Sequence, residues 1–301
     1  MDALTAPAVY GTSTIKRQRA TKCEVDARWA SLYEIVQRQQ PMTVRQVFYQ
    51  ATVLGQVEKT EAGYRKVQYA LAEMRRAGFL PYSWITDSTR WQRKPRTFSS
   101  IEQALNDTAR LYRKSLWHDA EVYVEVWLEK DALAGVVWPI TDLHDVPLMV
   151  ASGYSSLSFL HAAAHYIAAV GVPTYIYHFG DHDPSGVNAG EKIEETLRAM
   201  APGAEIHFER AAVTEAQISD YHLPTRPTKT TDSRAKDFGA VSVELDAIPA
   251  ETLRLLTEEV IHRHLPRDQL DHLLIVEADE KRLLHGLVGL INGSRTDDAD
   301  G

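Results

Sequence analysis

The chain is poor in cysteine and has no long apolar segment. Cys23 is the only cysteine among 301 residues, which excludes an internal disulfide framework and a zinc site built from cysteines. No apolar run approaches the ~20 residues that a membrane-spanning helix needs. Residues 1–22 also lack the apolar core of a secretion signal. These absences predict a soluble, cytoplasmic protein with no membrane partner.

The chain also lacks the net positive charge that nucleic-acid-binding proteins often carry, because its formal net charge is −8. The charge is unevenly distributed, however. Residues 1–100 hold 16 Lys/Arg and 8 Asp/Glu, whereas residues 101–301 hold 17 and 33. A basic first third joined to an acidic remainder is typical of a polyanion-binding module fused to another domain. On charge alone, ordinary variation along a chain explains the asymmetry equally well.

The first third of the sequence has the pattern of a DNA-binding domain. Residues 1–20 are predicted to be a flexible basic arm. Apolar spacing and capping residues predict three helices, over residues 24–39, 44–50 and 62–77. A short strand over residues 80–85 and a basic loop over 90–96 are predicted to follow. These elements indicate a winged helix-turn-helix over residues 21–97; a three-helix unit with no DNA role is the alternative.

In a winged helix-turn-helix the third helix enters the major groove of double-stranded DNA. That helix and the following loop are rich in basic side chains. The candidate DNA contacts are Arg65, Lys66, Arg75, Arg76, Arg93 and Arg96.

The remainder of the chain alternates between apolar strands and helices. A connecting helix within residues 98–120 leads into this pattern, which predicts a parallel α/β domain over residues 121–292. Its strands are predicted at 121–128, 147–151, 173–179, 204–211 and 241–245. Its helices are predicted at 131–139, 155–169, 185–199, 249–264 and 278–291. The polar residues 293–301 are predicted to be a disordered tail.

Acidic residues follow two of these strands. Glu129 comes directly after the first, and Asp181 and Asp183 come after the third. Ligands of open parallel sheets bind at the carboxyl ends of the strands. Alternate residues of extended backbone face the same way, so both aspartates can point to one place while His182 points elsewhere. Pro184 suits the first position of the next helix.

Three carboxylates facing one another would repel and raise each other's pKa. A hard divalent cation removes that penalty, and Mg²⁺ prefers oxygen ligands of this kind. We therefore expect a magnesium site at Glu129, Asp181 and Asp183, with Asp131 as a residue that supports it indirectly. The alternative is that Asp183 only caps a helix and Glu129 is a solvated strand end.

Several motifs, in the same order, resemble the topoisomerase VI A subunit and its meiotic double-strand-break relative. Residues 128–132 (LEKDA) and 180–186 (GDHDPSG) resemble the Toprim domain of that family. Residues 153–156 (GYSS) and 243–248 (VELDAI) are similar to two further segments of it. In the N-terminal half, residues 43–49 (TVRQVFY) are similar to the family's winged-helix motif.

The resemblance implies a Toprim-type α/β domain preceded by a winged helix, and a DNA topoisomerase activity of type IIB. It implies that Tyr49 attacks DNA and that Arg45, one helical turn earlier, assists it. It also implies a homodimer in which one subunit supplies the tyrosine and the other the metal. The chain is shorter than a standard A subunit, residues 223–236 do not match one, and strand passage would need a separate ATPase subunit.

Two other functions are compatible with these residues. In a Toprim nuclease, water activated by the metal cleaves DNA and Tyr49 only packs. In a non-catalytic DNA-binding subunit, neither Tyr49 nor the acidic residues carry chemistry. A phenol with a pKa near 10 is a weak nucleophile at neutral pH, so a working Tyr49 depends on groups that stabilise charge around it.

Overall fold

The structure is a computed structural model that describes residues 21–86, 97–152, 155–228, 238–265 and 267–297. The α-helices of these residues are α1 (Lys22–Gln39), α2 (Val44–Val53), α3 (Glu61–Arg76), α4 (Ile101–Leu111), α5 (Ala134–Leu143), α6 (Leu157–Val170), α7 (Pro184–Met200), α8 (Glu215–Asp220), α9 (Ala250–His262) and α10 (Arg267–Asp297). The strands are β1 (Tyr123–Leu128), β2 (Leu148–Val150), β3 (Thr174–Phe179), β4 (Ile206–Ala212), β5 (Arg226–Pro227) and β6 (Val241–Ser242).

The main sheet has four parallel strands in the order β2-β1-β3-β4. The chain runs from β1 outward to β2 and then crosses to β3 on the other side of β1. The strand order therefore changes direction between β1 and β3, where their carboxyl ends leave a crevice suited to ligands. This confirms the predicted α/β class and the four strands of its sheet.

The sheet is covered on both faces. Val126 and Leu128 of β1 belong to a core that includes residues of α5 and α9. Trp127, which points the opposite way, belongs to a second core with residues of α6 and α7. Burial on both faces explains why the two central strands, β1 and β3, are mostly apolar along their length, as in other parallel sheets.

The first three helices pack against the α/β part of the chain. Thr43 caps α2, because its Oγ1 accepts from Gln46 N at 3.1 Å while Gln46 Oε1 accepts from Thr43 N at 2.9 Å. Side chains of α1, α2 and α3 share one continuous core with β1, α5 and α9. From α9, Arg254 donates to the carbonyls of Gln39 and Pro41 at 2.8 and 3.0 Å. The tyrosine-bearing helix is thereby held against the sheet.

The predicted strand over residues 80–85 is wrong. Tyr82–Trp84 form a 3-10 turn, and Ile85 makes a single parallel bridge to Met42. Pro81 has no N–H to donate, and the two-residue stretch between Pro41 and α2 is too short to pair with a full strand. The predicted basic loop, with Arg93 and Arg96, lies outside the described residues. The three helices of the predicted winged helix are therefore present, and its wing is not among the described elements.

Two further boundaries differ from the sequence prediction. The predicted strand over residues 241–245 is limited to β6, which pairs antiparallel with β5; beyond it Leu245–Ala247 form a 3-10 turn. Helix α10 begins earlier and continues later than the predicted 278–291, into the predicted tail. Its first turns contribute Leu270 to a small core with Leu116. No helix in the described part of the chain is long and apolar enough to span a membrane.

Candidate functional site

The carboxyl ends of β1 and β3 bring Glu129 and Asp181 together. Glu129 N donates to Phe179 O at 2.9 Å, and Asp181 N donates to Glu129 Oε2 at 2.8 Å. On the far side, the backbone of His182 exchanges two hydrogen bonds with Val243, at 2.8 and 2.9 Å. The loop after β3 is therefore fixed from both sides, as a preorganised site requires.

Two glycines make room for the Glu129 carboxylate. A Cβ at Gly180 would lie 2.8 Å from Glu129 Oε2 and 2.6 Å from His178 Cε1, and one at Gly186 would lie 3.0 Å from Glu129 Oε2. Only glycine avoids these contacts. His178 beneath them is 1% exposed, and burial, together with Arg210, lowers its pKa to about 3. The ring is therefore neutral.

Asp183 is the N-cap of α7, and Pro184 takes the first helical position as predicted. Asp183 Oδ1 accepts from Gly186 N at 2.8 Å, while its Oδ2 accepts from the Arg226 guanidinium at 2.9 Å. The ring of His182, between the two aspartates, lies 4.8 Å from that of Phe238. Asp183 thus serves as a cap and also faces a cation at the sheet edge.

Lys130 lies at the centre of a cluster of carboxylates. Its Nζ is 2.7 Å from Asp246 Oδ2, 3.0 Å from Asp181 Oδ1 and 3.5 Å from Glu244 Oε2. Burial by itself would lower the pKa of Lys130, but Asp246, Asp181 and Glu244 outweigh it, so that the pKa is raised. Leu245 N adds a hydrogen bond of 2.8 Å to Asp181 Oδ1. Lys130 therefore stays charged.

Tyr49 and Arg45 join this cluster from α2. Arg45 Nε is 2.9 Å from Glu244 Oε2. Opposing effects act on the pKa of Glu244: burial raises it, while Lys130, Arg45, Arg226 and a hydrogen bond with Tyr49 together lower it. The predicted catalytic pair is therefore connected through Glu244 to Lys130.

The hydroxyl of Tyr49 is not poised as a phenolate in this arrangement. Tyr49 is 4% exposed, and burial together with the Glu244 charge raises its pKa to about 12. Lys59 Nζ lies 5.4 Å from the centre of the Tyr49 ring and donates to the carbonyls of Pro224 and Thr225 at 2.9 and 2.7 Å. Lys59 thereby holds Pro224 and Thr225, directly before β5, close to Tyr49.

Burial makes the charged forms of the Glu129 and Asp181 carboxylates unfavourable. Burial raises the pKa of both, and the Asp181 charge adds to the effect on Glu129. In Asp181 the raised pKa persists although Lys130 acts against it. Oxygen-only donors with an unfavourable charge are the set that a hard cation such as Mg²⁺ prefers. The donor chemistry of Glu129, Asp181 and Asp183 thus fits this ion.

The carboxylates of Glu129, Asp181 and Asp183 are spaced more loosely than the ligands of a formed metal site. Among the described residues, the one group of three potential ligands whose atoms all lie within 4.8 Å of one another consists of His144, Glu258 and His262. That group can hold a metal ion, and it lies away from the sheet edge. At the edge, Arg226 engages Asp183 and Lys130 engages Asp181, so the protein's own cations compensate these carboxylates in part.

A cleft of about 390 Å³ separates α2 and α3 from the sheet edge. Its walls include three cations, Arg45, Arg75 and Lys130, and two carboxylates, Asp131 and Asp246. Asp131 Oδ1 accepts from Ala132 N at 2.8 Å, so the structure places Asp131 in the cleft wall next to Lys130. The cleft therefore carries charges of both signs, and two of its cations, Lys130 and Arg45, are paired with carboxylates.

The predicted DNA contacts on α3 lie on its surface, and most have partners within the helix. Arg65 is 3.2 Å from Glu61, and Arg76 is paired with Glu73 at 2.5 Å. Arg75 donates to Leu71 O at 3.2 Å and lies over the ring of Tyr82. Lys66 lines a groove between α1 and α3.

Sequence reasoning missed three residues of the cluster: Lys130, Glu244 and Asp246. In the sequence, Lys130 and residues 243–248 stand out only through the family resemblance. The one sequence feature that could have indicated Glu244 and Asp246 is their alternation around Leu245. Their position at the sheet edge, however, depends on the pairing of Val243 with His182.

A search of protein-family models and of curated proteins found no match to this chain.

Proposed function

We propose that this protein is a DNA-cleaving subunit of the type IIB topoisomerase kind. Residues 21–97 would form the winged-helix domain, the α/β part the Toprim-type domain, and two copies the active dimer. Tyr49 would attack a phosphodiester of double-stranded DNA, and Arg45 would assist. Any strand passage would depend on a separate ATPase subunit.

The polar network between Tyr49 and the acidic edge is the observation that carries this proposal. It runs from Tyr49 and Arg45 through Glu244 to Lys130 and Asp181. Elements from opposite ends of the chain thus converge on one place. A tyrosine that served packing alone would not need an arginine and a buried carboxylate–lysine cluster around its hydroxyl.

The groups around Tyr49 can carry transesterification. The Tyr49 hydroxyl loses its proton to water and its oxygen forms a bond to phosphorus. The bond from phosphorus to the sugar oxygen breaks, and the sugar oxygen takes up a proton from water, leaving a phosphotyrosine and a DNA end with a free hydroxyl. Arg45 and Lys130 line the adjoining cleft and would stabilise the charge that develops on the phosphate. Mg²⁺, held by Glu129, Asp181 and Asp183, would supply Lewis-acid polarisation of a phosphate oxygen.

Burial of Tyr49 sets a condition on this chemistry. DNA can reach its hydroxyl only when the contacts with Lys59 and Glu244 open. A homodimer meets this condition if the tyrosine of one subunit turns toward the acidic edge of its partner. The basic residues of α3, which lie on the surface, would then contact DNA phosphates.

The same burial favours a second candidate, a hydrolytic Toprim-type nuclease. A tyrosine that is 4% exposed and has a pKa raised to about 12 is suited to holding Glu244 in place. Water activated by the metal would then cleave DNA. A non-catalytic DNA-binding subunit is the third candidate, and absence of cleavage under all conditions would favour it.

Trapping of a covalent adduct distinguishes the candidates. The full chain is incubated with labelled supercoiled DNA and Mg²⁺, then denatured. We expect label to stay on the parent protein through Tyr49 and to be lost with Tyr49→Phe. Tyr64→Phe is the matched control, because Arg45 also lies over the Tyr64 ring, at 5.7 Å. Cleavage with free ends and full activity of Tyr49→Phe would instead establish the nuclease.

A further inference from the structure

A second cluster of potential metal ligands lies where α5 meets α9. His144 is the residue after α5, and Glu258 and His262 are one turn apart on α9. One ligand atom from each of the three lies within 4.8 Å of the other two. The cluster contains two imidazoles and a carboxylate, unlike the oxygen-only edge of the sheet.

Hydrogen bonds to backbone carbonyls fix the tautomer of both rings. His144 Nδ1 is 2.7 Å from Ile140 O, and His262 Nδ1 is 2.8 Å from Leu265 O. A carbonyl oxygen only accepts, so each Nδ1 carries a hydrogen and Nε2 is the ring nitrogen left to bind a metal. Metal-binding histidines are typically oriented in this way, with the second ring nitrogen bonded to a carbonyl.

The distances approach those of a tetrahedral zinc site. Two ligands about 2.0–2.2 Å from zinc are roughly 3.4 Å apart at the tetrahedral angle. His262 Nε2 lies 3.3 Å from Glu258 Oε1, which matches that edge. The rings of His144 and His262 meet edge to face at 5.0 Å and 82°, so the two imidazoles lie side by side within the 4.8 Å span of the cluster.

The surroundings hold the cluster in place. Arg113 donates to the carbonyls of Asp142 and Leu143 at 3.0 and 3.1 Å, and Trp117 Nε1 donates to His144 O at 2.8 Å. His144 is 1% exposed, whereas the side chain of Glu258 is 30% exposed. The cluster is therefore buried on the His144 side and open to solvent on the Glu258 side, where a water molecule can take the fourth coordination position.

We propose that His144, Glu258 and His262 bind a zinc ion that fastens the end of α5 to α9. Two imidazole nitrogens and one carboxylate oxygen select zinc and similar transition metals over Mg²⁺. Zinc bound to the folded chain and not to the unfolded chain stabilises the fold. This site is separate from the sheet edge and independent of the proposed cleavage chemistry.

Metal retention by the full, untagged chain tests the proposal. The protein is stripped with chelator, loaded with Zn²⁺ in a large excess of Mg²⁺, dialysed, and analysed for zinc per chain. We expect one zinc in the parent and at least ~100-fold weaker binding in Glu258→Gln and His262→Gln. His118→Gln is the matched control, because His118 faces Asp119 at 3.9 Å on the open surface.

Two further measurements keep the result unambiguous. Zn²⁺ should raise the melting temperature of the parent and of His118→Gln, and leave that of the two ligand variants unchanged, with circular dichroism confirming that all are folded. Asp181→Asn should retain zinc, since it alters the sheet edge alone. Equal zinc content in the parent and in both folded ligand variants would overturn the proposal, and so would loss of zinc in Asp181→Asn.

Discussion

Arg45 and Glu244 form an ion pair of 2.9 Å between α2 and the segment after β6. The pair is half-exposed on the Arg45 side and largely buried on the Glu244 side. It joins the helix that carries Tyr49 to the residues that surround Lys130. The catalytic proposal and the stability of the contact between the two parts of the chain therefore depend on the same carboxylate.

Loss of the charge at Glu129 and loss of the charge at Glu244 should change the stability of the fold in opposite directions. The pKa of Glu129 is raised by burial and by Asp181, so its charge destabilises the fold at pH above that pKa. The pKa of Glu244 is lowered because its cations outweigh burial, so its charge stabilises the fold above its ordinary pKa and this stability is lost as pH falls.

At pH 7 we therefore expect Glu129→Gln to raise the free energy of unfolding and Glu244→Gln to lower it, each by roughly 1 kcal/mol. Chemical denaturation of the chain without divalent cations measures both. At a pH low enough to protonate both carboxyl groups, the two differences should shrink toward zero. A lower stability of Glu129→Gln at pH 7 would contradict the charge imbalance inferred for the sheet edge.

Gly180→Ala should disturb the acidic edge directly. The new Cβ would lie 2.8 Å from Glu129 Oε2 and 2.6 Å from His178 Cε1, so both side chains must move. We expect a loss of about 1–3 kcal/mol in stability and weaker Mn²⁺ or Mg²⁺ binding. Gly203→Ala is the control, since a Cβ there meets nothing within 4 Å. Equal stability of the two variants would show that the edge is more open than described.

The rate of cleavage should rise with pH if Tyr49 is the nucleophile. A tyrosine hydroxyl has an ordinary pKa of about 10, and burial beside Glu244 raises that of Tyr49 to about 12 in the closed arrangement. In either arrangement the phenolate fraction grows about tenfold for each pH unit up to about pH 10. Single-turnover cleavage should accordingly increase from about pH 7 to about pH 10. Metal-bound water has a pKa nearer 7, so a rate that levels off near neutral pH would indicate the nuclease instead.

Neutralising the basic side chains of α3 should weaken DNA binding and flatten its dependence on salt. Each phosphate contact that is lost reduces the number of counterions released on binding. The slope of log affinity against log salt is negative, and we expect Arg65→Gln combined with Lys66→Gln to make it shallower by about 2. Arg198→Gln is the matched control, because Arg198 pairs with Glu194 one turn earlier, as Arg65 does with Glu61. Unchanged slopes would show that DNA binds to a surface other than α3.

The α/β sheet and its acidic edge could be predicted from sequence, because they follow from local patterns. Apolar runs of strand length alternate with helical segments, and such alternation leads to parallel strands. Glu129, Asp181 and Asp183 then have to lie at the carboxyl ends of neighbouring strands. The capping role of Asp183 can be predicted from sequence for the same reason, since a cap is set by residues within one turn.

The structural features that could not be predicted from the sequence depend on pairings between distant segments of the chain. Residues 80–85 carry a strand-like composition, but among the described residues their one β-bridge is that of Ile85 with Met42, and Tyr82–Trp84 form a 3-10 turn. Glu258 and His262 have the spacing of a helical pair, yet nothing local indicates that His144 would join them. The same is true of Lys130, which is an ordinary surface-type residue until the segment after β6 surrounds it.

The sequence by itself therefore determined the four strands of the main sheet and the helices between them, the acidic edge, and the helix that presents Arg45 and Tyr49 on one face. The tertiary structure alone decided that Glu244 lies between that helix and Lys130, that Tyr49 is buried, and that two histidines meet Glu258. The physical reason is one of range. Periodicity and capping act within a few residues, whereas ion pairs and metal ligands are selected by packing between elements far apart in the chain.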